Sequence, residues 1–310
     1  MAEKSMELTE FLSRTYGFQV QDIWAAKRGF YGETWKVRAK EADYFVKIDY
    51  WTHHMESYQA SLPVIQYMTQ QGISFIPQVV KTKDGELSGR FNQGVAAVFA
   101  YVQGELYENP GVEQLYGKMA QVYQLRPEGI AMDRETFGTE IADDFQRLQN
   151  AQGLPEQVAA ALKEKQRVIS GYMERLKFFS AQCSQDMGNF HITHGDVGGN
   201  CILNGERLSI VDWDGVKYAP VERDAWILLC EWRHLEKVNA ILKENNIEYR
   251  LRQERLGYYC YSFFFHYLGE YLRSMLNARE EKQKQDLAEK CMDYLQNSWI
   301  FRQLARADLF

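Results

Sequence analysis

His194-Gly195-Asp196-Val197-Gly198-Gly199-Asn200-Cys201-Ile202-Leu203-Asn204-Gly205-Glu206-Arg207-Leu208-Ser209-Ile210-Val211-Asp212-Trp213-Asp214 is the most informative stretch of the chain. Two short apolar runs flank Asn204-Gly205, a dipeptide suited to a tight hairpin turn because both residues tolerate positive φ. Folding the chain about residues 204–207 sets Cys201 opposite Ile210 and Asn200 opposite Val211. Asn200 and Asp212 then leave the hairpin at the same open end. Asp196 lies just upstream, on a glycine-rich loop that can curl back toward that end. Three oxygen-bearing side chains are expected to converge there. An Asp–Asn pair is the hard-oxygen set that suits Mg²⁺, which takes its remaining ligands from water and substrate phosphates. A third carboxylate nearby can accept the proton of an attacking hydroxyl. These are the parts needed for phosphoryl transfer, in which a protein mainly positions groups and neutralises charge. Taken singly, Asp, Asn and Gly are ordinary turn residues; only their combination points to chemistry.

Upstream, residues 18–26, 34–39 and 44–50 read as strands rich in aromatic and β-branched residues, with Glu41-Ala42-Asp43 as a turn. The period then changes: Met55, Tyr58, Leu62, Ile65 and Met68 recur at helical spacing, and Gly72 lies just past the end. Two further strands are expected around residues 78–81 and 95–102, giving a five-stranded antiparallel sheet with one main helix. From Glu105 onward helical patterns dominate. Residues 112–123 and 157–179 are the clearest, and residues 126–154 are polar and broken by Pro127, Gly129, Gly138 and Gly153. At about 150 residues per domain, 310 residues suggest two lobes. The expected division is 1–103 and 104–310, an α+β chain with a mostly helical second lobe.

Composition excludes several classes. Lysine and arginine number 36 against 42 acids, a net charge of −6, so a broad nucleic-acid surface is not expected. A cationic ligand is compatible with that balance. No apolar run approaches the ~20 residues that span a bilayer, and the N-terminus lacks a secretory pattern. The five cysteines are widely spaced with no C-x-x-C pair, which fits reduced thiols and a cytoplasmic protein.

The segment around Asp196 resembles the aminoglycoside phosphotransferase and choline kinase-like family, which shares the protein-kinase-like bilobal fold. The His-Gly-Asp loop, the downstream Asn and the Val-Asp-Trp element carry that resemblance. The wording Asp212-Trp213-Asp214 followed by Ala219-Pro220-Val221-Glu222-Arg223-Asp224 is similar to spectinomycin-type phosphotransferases. The resemblance implies that Asp196 is the catalytic base and that Asn200 and Asp212 ligate Mg²⁺. It implies that His194 and Asp224 brace the catalytic loop, and that Trp213 stands where protein kinases have the Phe of Asp-Phe-Gly. Lys47 would contact the phosphates of ATP (or GTP), with Glu56 as its candidate partner. Gly29-Phe30-Tyr31-Gly32 would cover those phosphates, with Gly29 and Gly32 close to the nucleotide. Ala100, Tyr101 and Val102 would present backbone groups to its base. Family members place four residues between the Asp and the Asn; this chain has three, two of them glycine.

Other signals fit less well. Residues 111–119 lack the Ser/Thr and the length of a Walker A loop. His191 and His194 have no H-E-x-x-H context, and no G-x-S-x-G elbow is present. The aromatic run Tyr258, Tyr259, Tyr261, Phe263, Phe264, Phe265 and Tyr267 is expected to fill a core, although a cation-π box is also compatible with it. Protein kinases place an activation segment between Asp-Phe-Gly and Ala-Pro-Glu. Here only a handful of residues intervene, so a small hydroxylated acceptor is expected, with Glu231 as a candidate contact for an amine. The expected activity is an ATP- or GTP-dependent kinase for an aminoglycoside, an aminocyclitol or another cationic small molecule. A metabolite kinase (choline, ethanolamine, a sugar or an amino acid) and a kinase-like binding protein without catalysis are the alternatives. Its partners would be nucleotide and acceptor, with no nucleic acid or membrane.

Overall fold

An antiparallel sheet backed by a helix forms the N-terminal part of the computed structural model, which describes residues 2–26, 32–278 and 280–310, without the side chains of Ala2 and His53. Helix α1 (Ala2–Tyr16) precedes β1 (Val20–Ala25), β2 (Gly32–Ala39) and β3 (Asp43–Asp49). Helix α2 (Thr52–Gln70) follows, then β4 (Val79–Val80), β5 (Gly89–Phe91) and β6 (Gly94–Ala100). The strand order is β1-β2-β3-β6-β4, with β5 also on β6. The sheet therefore has six strands rather than five. The added strand, β5, is only Gly-Arg-Phe, too short to show an alternating pattern in sequence. Residues 94–99 of β6 are buried throughout, as expected for an interior strand covered on both faces.

Helix α1 was not expected from the sequence. Leu8, Phe11, Leu12 and Tyr16 lie on one face of it and join a core with Phe18, Trp35, Val37, Val46, Ile48, Phe91, Ala96 and Val98. Phe11 stacks at a tilt on Phe91, with ring centroids 5.2 Å apart. Truncating this 3%-exposed ring leaves a cavity between helix and sheet. Phe11→Ala is expected to lower stability by about 3–5 kcal/mol, read as a shift in urea midpoint at constant m-value.

The chain divides into two contact-defined units, one running to Arg134 and including His191–Tyr218, the other comprising Glu135–Phe190 and Ala219–Phe310. This differs from an expected boundary at 103/104. The physical reason is pairing beyond that point: β7 (Glu105–Leu106) adds to the hairpin of β9 (Cys201–Asn204) and β10 (Arg207–Ile210). Helix α3 (Val112–Tyr123) lies against β8 (His191–Thr193), where His191 Nδ1 meets the Tyr123 carbonyl at 2.7 Å. β8 in turn pairs with β11 (Lys217–Ala219).

The second unit is helical: α4 (Glu140–Gln149), α5 (Glu156–Glu164), α6 (Gln166–Cys183), α7 (Glu222–Ala225), α8 (Trp232–Glu244), α9 (Gln253–Asn277), α10 (Glu281–Asn297) and α11 (Ile300–Ala307). Helix α9 is its axis, packed by α4, α6, α10 and α11. The aromatic run lies on α9, and Tyr258, Tyr259, Tyr261, Phe264 and Phe265 are buried. Tyr258 donates to the Gly138 carbonyl and Tyr259 to Glu135 Oε2, so their hydroxyls are satisfied inside the core. No helix among the described residues is long and apolar enough to cross a membrane.

Candidate active site

The hairpin forms with the expected register, Ile210 opposite Cys201, and Val211 N–H donates to the Asn200 carbonyl at 2.9 Å. The turn needs Gly205, whose φ is +59°. Below the hairpin the chain reaches Asp212 in a left-handed backbone, φ 65° and ψ 54°. For a residue with a side chain this costs roughly 1–2 kcal/mol, and such strain concentrates at functional positions. A short 3₁₀ turn, Trp213–Gly215, follows at once. The Trp213 ring is buried and its indole N–H donates to the Ile210 carbonyl at 2.9 Å. That bond fixes the turn to the end of β10.

His194 is buried in the loop that carries Asp196. Its Nδ1 accepts the Asp196 N–H at 3.2 Å, and its Nε2 reaches the Val211 carbonyl at 2.8 Å. Those partners call for the tautomer that carries its proton on Nε2. The ring thereby ties the Asp196 loop to the strand that leads into Asp212, and Trp213 packs edge-on against it at 4.6 Å. Asp196 itself is exposed. Asn200 spans the short loop: its Nδ2 donates to the Asp196 carbonyl at 2.7 Å and to Asp196 Oδ2 at 3.1 Å. The three-residue spacing therefore still brings the two side chains together. With the amide nitrogen turned toward Asp196, the Asn200 Oδ1 is the oxygen left for a cation.

Lys47 lies on β3, opposite Ala97 and Thr34. Its ammonium is 2.5 Å from Asp212 Oδ1 and also ion-paired with Asp214. Burial works against the Lys47 charge, but the two carboxylates outweigh it and hold the ammonium protonated. Burial likewise raises the Asp212 carboxyl, but Lys47 beside it brings the group below the usual carboxylate range. Asp214 is pushed the other way. Its burial and the neighbouring Asp212 charge exceed the help from Lys47.

Several sequence expectations change here. Glu56 is exposed on α2, and Lys47 pairs with Asp212 and Asp214 instead. The first turn of α2 turns a different residue inward: His54 Nδ1 is paired with the buried Asp49 carboxylate, which also accepts the Trp51 N–H at 2.8 Å. Gly29 lies outside the described residues. Gly32 begins β2, and a Cβ there would sit 1.8 Å from the Ile48 carbonyl oxygen, so close strand approach explains that glycine. The Ala100 N–H is spent on the Gln78 carbonyl, which leaves Val102 as the better candidate for a base contact. Both line an open cavity of about 680 Å³ with Ile73, Ile76, Pro77 and Arg207. Asp224 is buried on α7 and Glu231 is exposed just before α8, both in the second unit. Asp214 is the site residue that the sequence did not single out. Its only signal was a second acid two residues after Asp212.

The donor set fits a hard divalent cation. Asp212 keeps a half-exposed carboxylate, and Asn200 offers an amide oxygen. Among the described residues no group of three or more His, Cys, Asp or Glu could hold a metal. Mg²⁺ commonly takes one or two protein oxygens, with its other ligands from water and substrate phosphates.

The chain resembles several solved structures over nearly its full length. A spectinomycin phosphotransferase crystallised with ADP and spectinomycin is 17% identical, with 98% of each chain covered and a TM-score of 0.76. An amicoumacin kinase in complex with AMP-PNP, Ca²⁺ and its substrate is 14% identical, covering 98% of this chain and 99% of the other, at 0.62. A macrolide 2'-phosphotransferase from Brachybacterium faecium is 12% identical, covering 96% and 99%, at 0.59. At such identities the likeness establishes the kinase-like fold. No curated protein matches the sequence. A family model, the phosphotransferase enzyme family, matches residues 23–256, most of the chain and every element that carries the site. With that match and the Asp196, Asn200 and Asp212 arrangement together, the chain belongs to the phosphotransferase enzyme family, enzymes that phosphorylate hydroxyl groups.

Proposed function

We propose that this phosphotransferase moves the γ-phosphoryl group of ATP or GTP to a hydroxyl of a small cationic molecule, of the aminoglycoside or aminocyclitol type. The observation that carries this is the meeting of Asp196, Asn200, Asp212 and Lys47 around one hairpin end. Asp196 is exposed and carries the carboxylate that would accept the acceptor's proton. Asn200 and Asp212 would hold Mg²⁺, which supplies charge neutralisation at the transferring phosphate. Lys47 would meet the nucleotide phosphates as a fixed cation. His194 holds the loop that presents Asp196.

A small acceptor is supported by the path after Asp212. The chain goes from the 3₁₀ turn directly into β11, leaving no segment long enough to dock a peptide. A net charge of −6 is compatible with an amine-bearing acceptor. The spectinomycin and amicoumacin complexes among the similar structures are in keeping with that class. Asn200 still contacts Asp196, so the shortened loop does not separate the two residues.

The test is nucleotide turnover with Mg²⁺, offering ATP and GTP against aminoglycosides, aminocyclitols, choline, ethanolamine and small sugars. ADP or GDP release that depends on an amine-bearing acceptor is the expected result. Release only with a neutral sugar would replace the acceptor class. Nucleotide binding with no release to any acceptor would move the chain to a binding role.

A further inference from the structure

The phosphate-facing lysine of this chain takes its counter-charge from an unexpected place. The acid nearest to hand in sequence, Glu56, is exposed on α2. What α2 sets against Lys47 is Tyr58, fully buried, whose hydroxyl donates to the Lys47 carbonyl at 3.2 Å and whose ring centroid is 5.8 Å from the ammonium. The carboxylates come from the turn after β10. They differ in surroundings: the Asp212 side chain is 48% exposed, whereas that of Asp214 is 10% exposed. Asp214 sits in a turn pinned by the buried Trp213 indole and closed by Val216 N–H on the Trp213 carbonyl at 3.1 Å. Both carboxylates meet the lysine, Asp212 through Oδ1 and Asp214 from a rigid, buried turn, but only Asp212 is also open to solvent and so within reach of a cation.

We propose that Asp214 is the positioning residue for Lys47, holding its ammonium toward the nucleotide phosphates so that Asp212 is free to serve a metal ion. This rests on the reading of Lys47 as a phosphate contact. The logic is competition for a shared partner. A lysine with a single carboxylate neighbour draws on the same oxygen that a divalent cation needs. A second carboxylate, buried and fixed, removes that conflict. It also keeps a long, flexible ammonium in one place before nucleotide arrives. An exposed α2 acid could do neither as well, because solvent screens it and its side chain is free to move.

The experiment measures nucleotide binding by calorimetry, once in EDTA and once across a Mg²⁺ titration, with melting temperature followed alongside. Asp214→Asn is expected to weaken metal-free nucleotide binding roughly tenfold, the effect of one charge-assisted hydrogen bond, and to raise the Mg²⁺ needed for half-saturation. Glu56→Gln is expected to change neither. Metal-free binding that is unchanged or tighter in Asp214→Asn overturns the proposal, because a residue that served only the metal would behave that way. Loss of metal-free binding in Glu56→Gln overturns it too. If the Asn variant does not fold, Asp214→Glu keeps the charge but displaces it by one methylene and must show the same weakening; equal binding overturns the proposal. A wild-type chain that binds no nucleotide at all would instead overturn the reading of Lys47, and the proposal with it. A wild type that binds and a variant that binds equally would overturn the proposal alone.

Discussion

Asp196→Asn is expected to lower turnover by about 10²–10⁴-fold while leaving nucleotide affinity within about twofold of wild type. Asn keeps the size and can still accept the Asn200 amide, now held at 2.7 Å by the Asp196 carbonyl and at 3.1 Å by its carboxylate. What it loses is the ability to take a proton. The His194 contact is to the Asp196 backbone, so the loop keeps its shape in the variant. Single-turnover kinetics with the best acceptor, set beside calorimetry with nucleotide, separates the two effects. Equal turnover in wild type and variant would remove Asp196 from the chemistry. A parallel fall in nucleotide affinity would mean that it acts through the phosphates instead.

The second large effect concerns stability in the helical unit. Arg255 is 1% exposed at the start of α9, an extreme burial for a guanidinium. It donates to the Tyr249 hydroxyl at 2.8 Å and to the carbonyls of Asp186 and Gly188 at 2.7 and 3.1 Å. Its plane also lies near the rings of Phe137, Phe190 and Tyr249. Tyr249 passes the connection on to Glu222 at 2.7 Å, whose second role is to accept the Arg252 N–H at 2.6 Å. Burial raises the Glu222 carboxyl, and Arg255 is among the groups that counter this. Arg255→Met removes every donor and leaves three half-buried acceptors without it. The expected loss is about 3–5 kcal/mol, with a melting temperature lower by about 10 °C. Arg255→Lys should recover little, since an ammonium cannot reproduce a planar fork that serves three acceptors. A melting temperature within 2–3 °C of wild type would show that water replaces those bonds at little cost.

Local patterns made parts of this structure readable. The hairpin register followed from Asn204-Gly205 and two apolar runs, because a two-fold side-chain period admits only one pairing that buries Cys201 with Ile210. Helix α2 followed from five apolar residues at helical spacing, and α3 from residues 112–123, which match its bounds. Helix α1 was missed although Leu8, Phe11 and Leu12 carry the period. Its stability comes from the sheet face that it covers, and that face is not visible from the segment alone. The partner of Lys47 was misplaced for a related reason. Strand and helix periodicity say which residues share a face, but not which turn folds back 165 residues later to meet them. Asp214 reads as one more turn acid until the left-handed backbone at Asp212 aims both carboxylates at one cation.

That 165-residue separation has a consequence during synthesis. A ribosome adding about 5–20 residues per second needs on the order of ten to thirty seconds between Lys47 and Asp212. For that interval β3 can pair with β2 but carries a cation whose carboxylate partners do not yet exist. The sheet can therefore form early, while the Lys47 ion pairs close only when the Asp-Trp-Asp turn has left the exit tunnel. A nascent chain stalled before that turn would carry its sheet with Lys47 still without those two carboxylates.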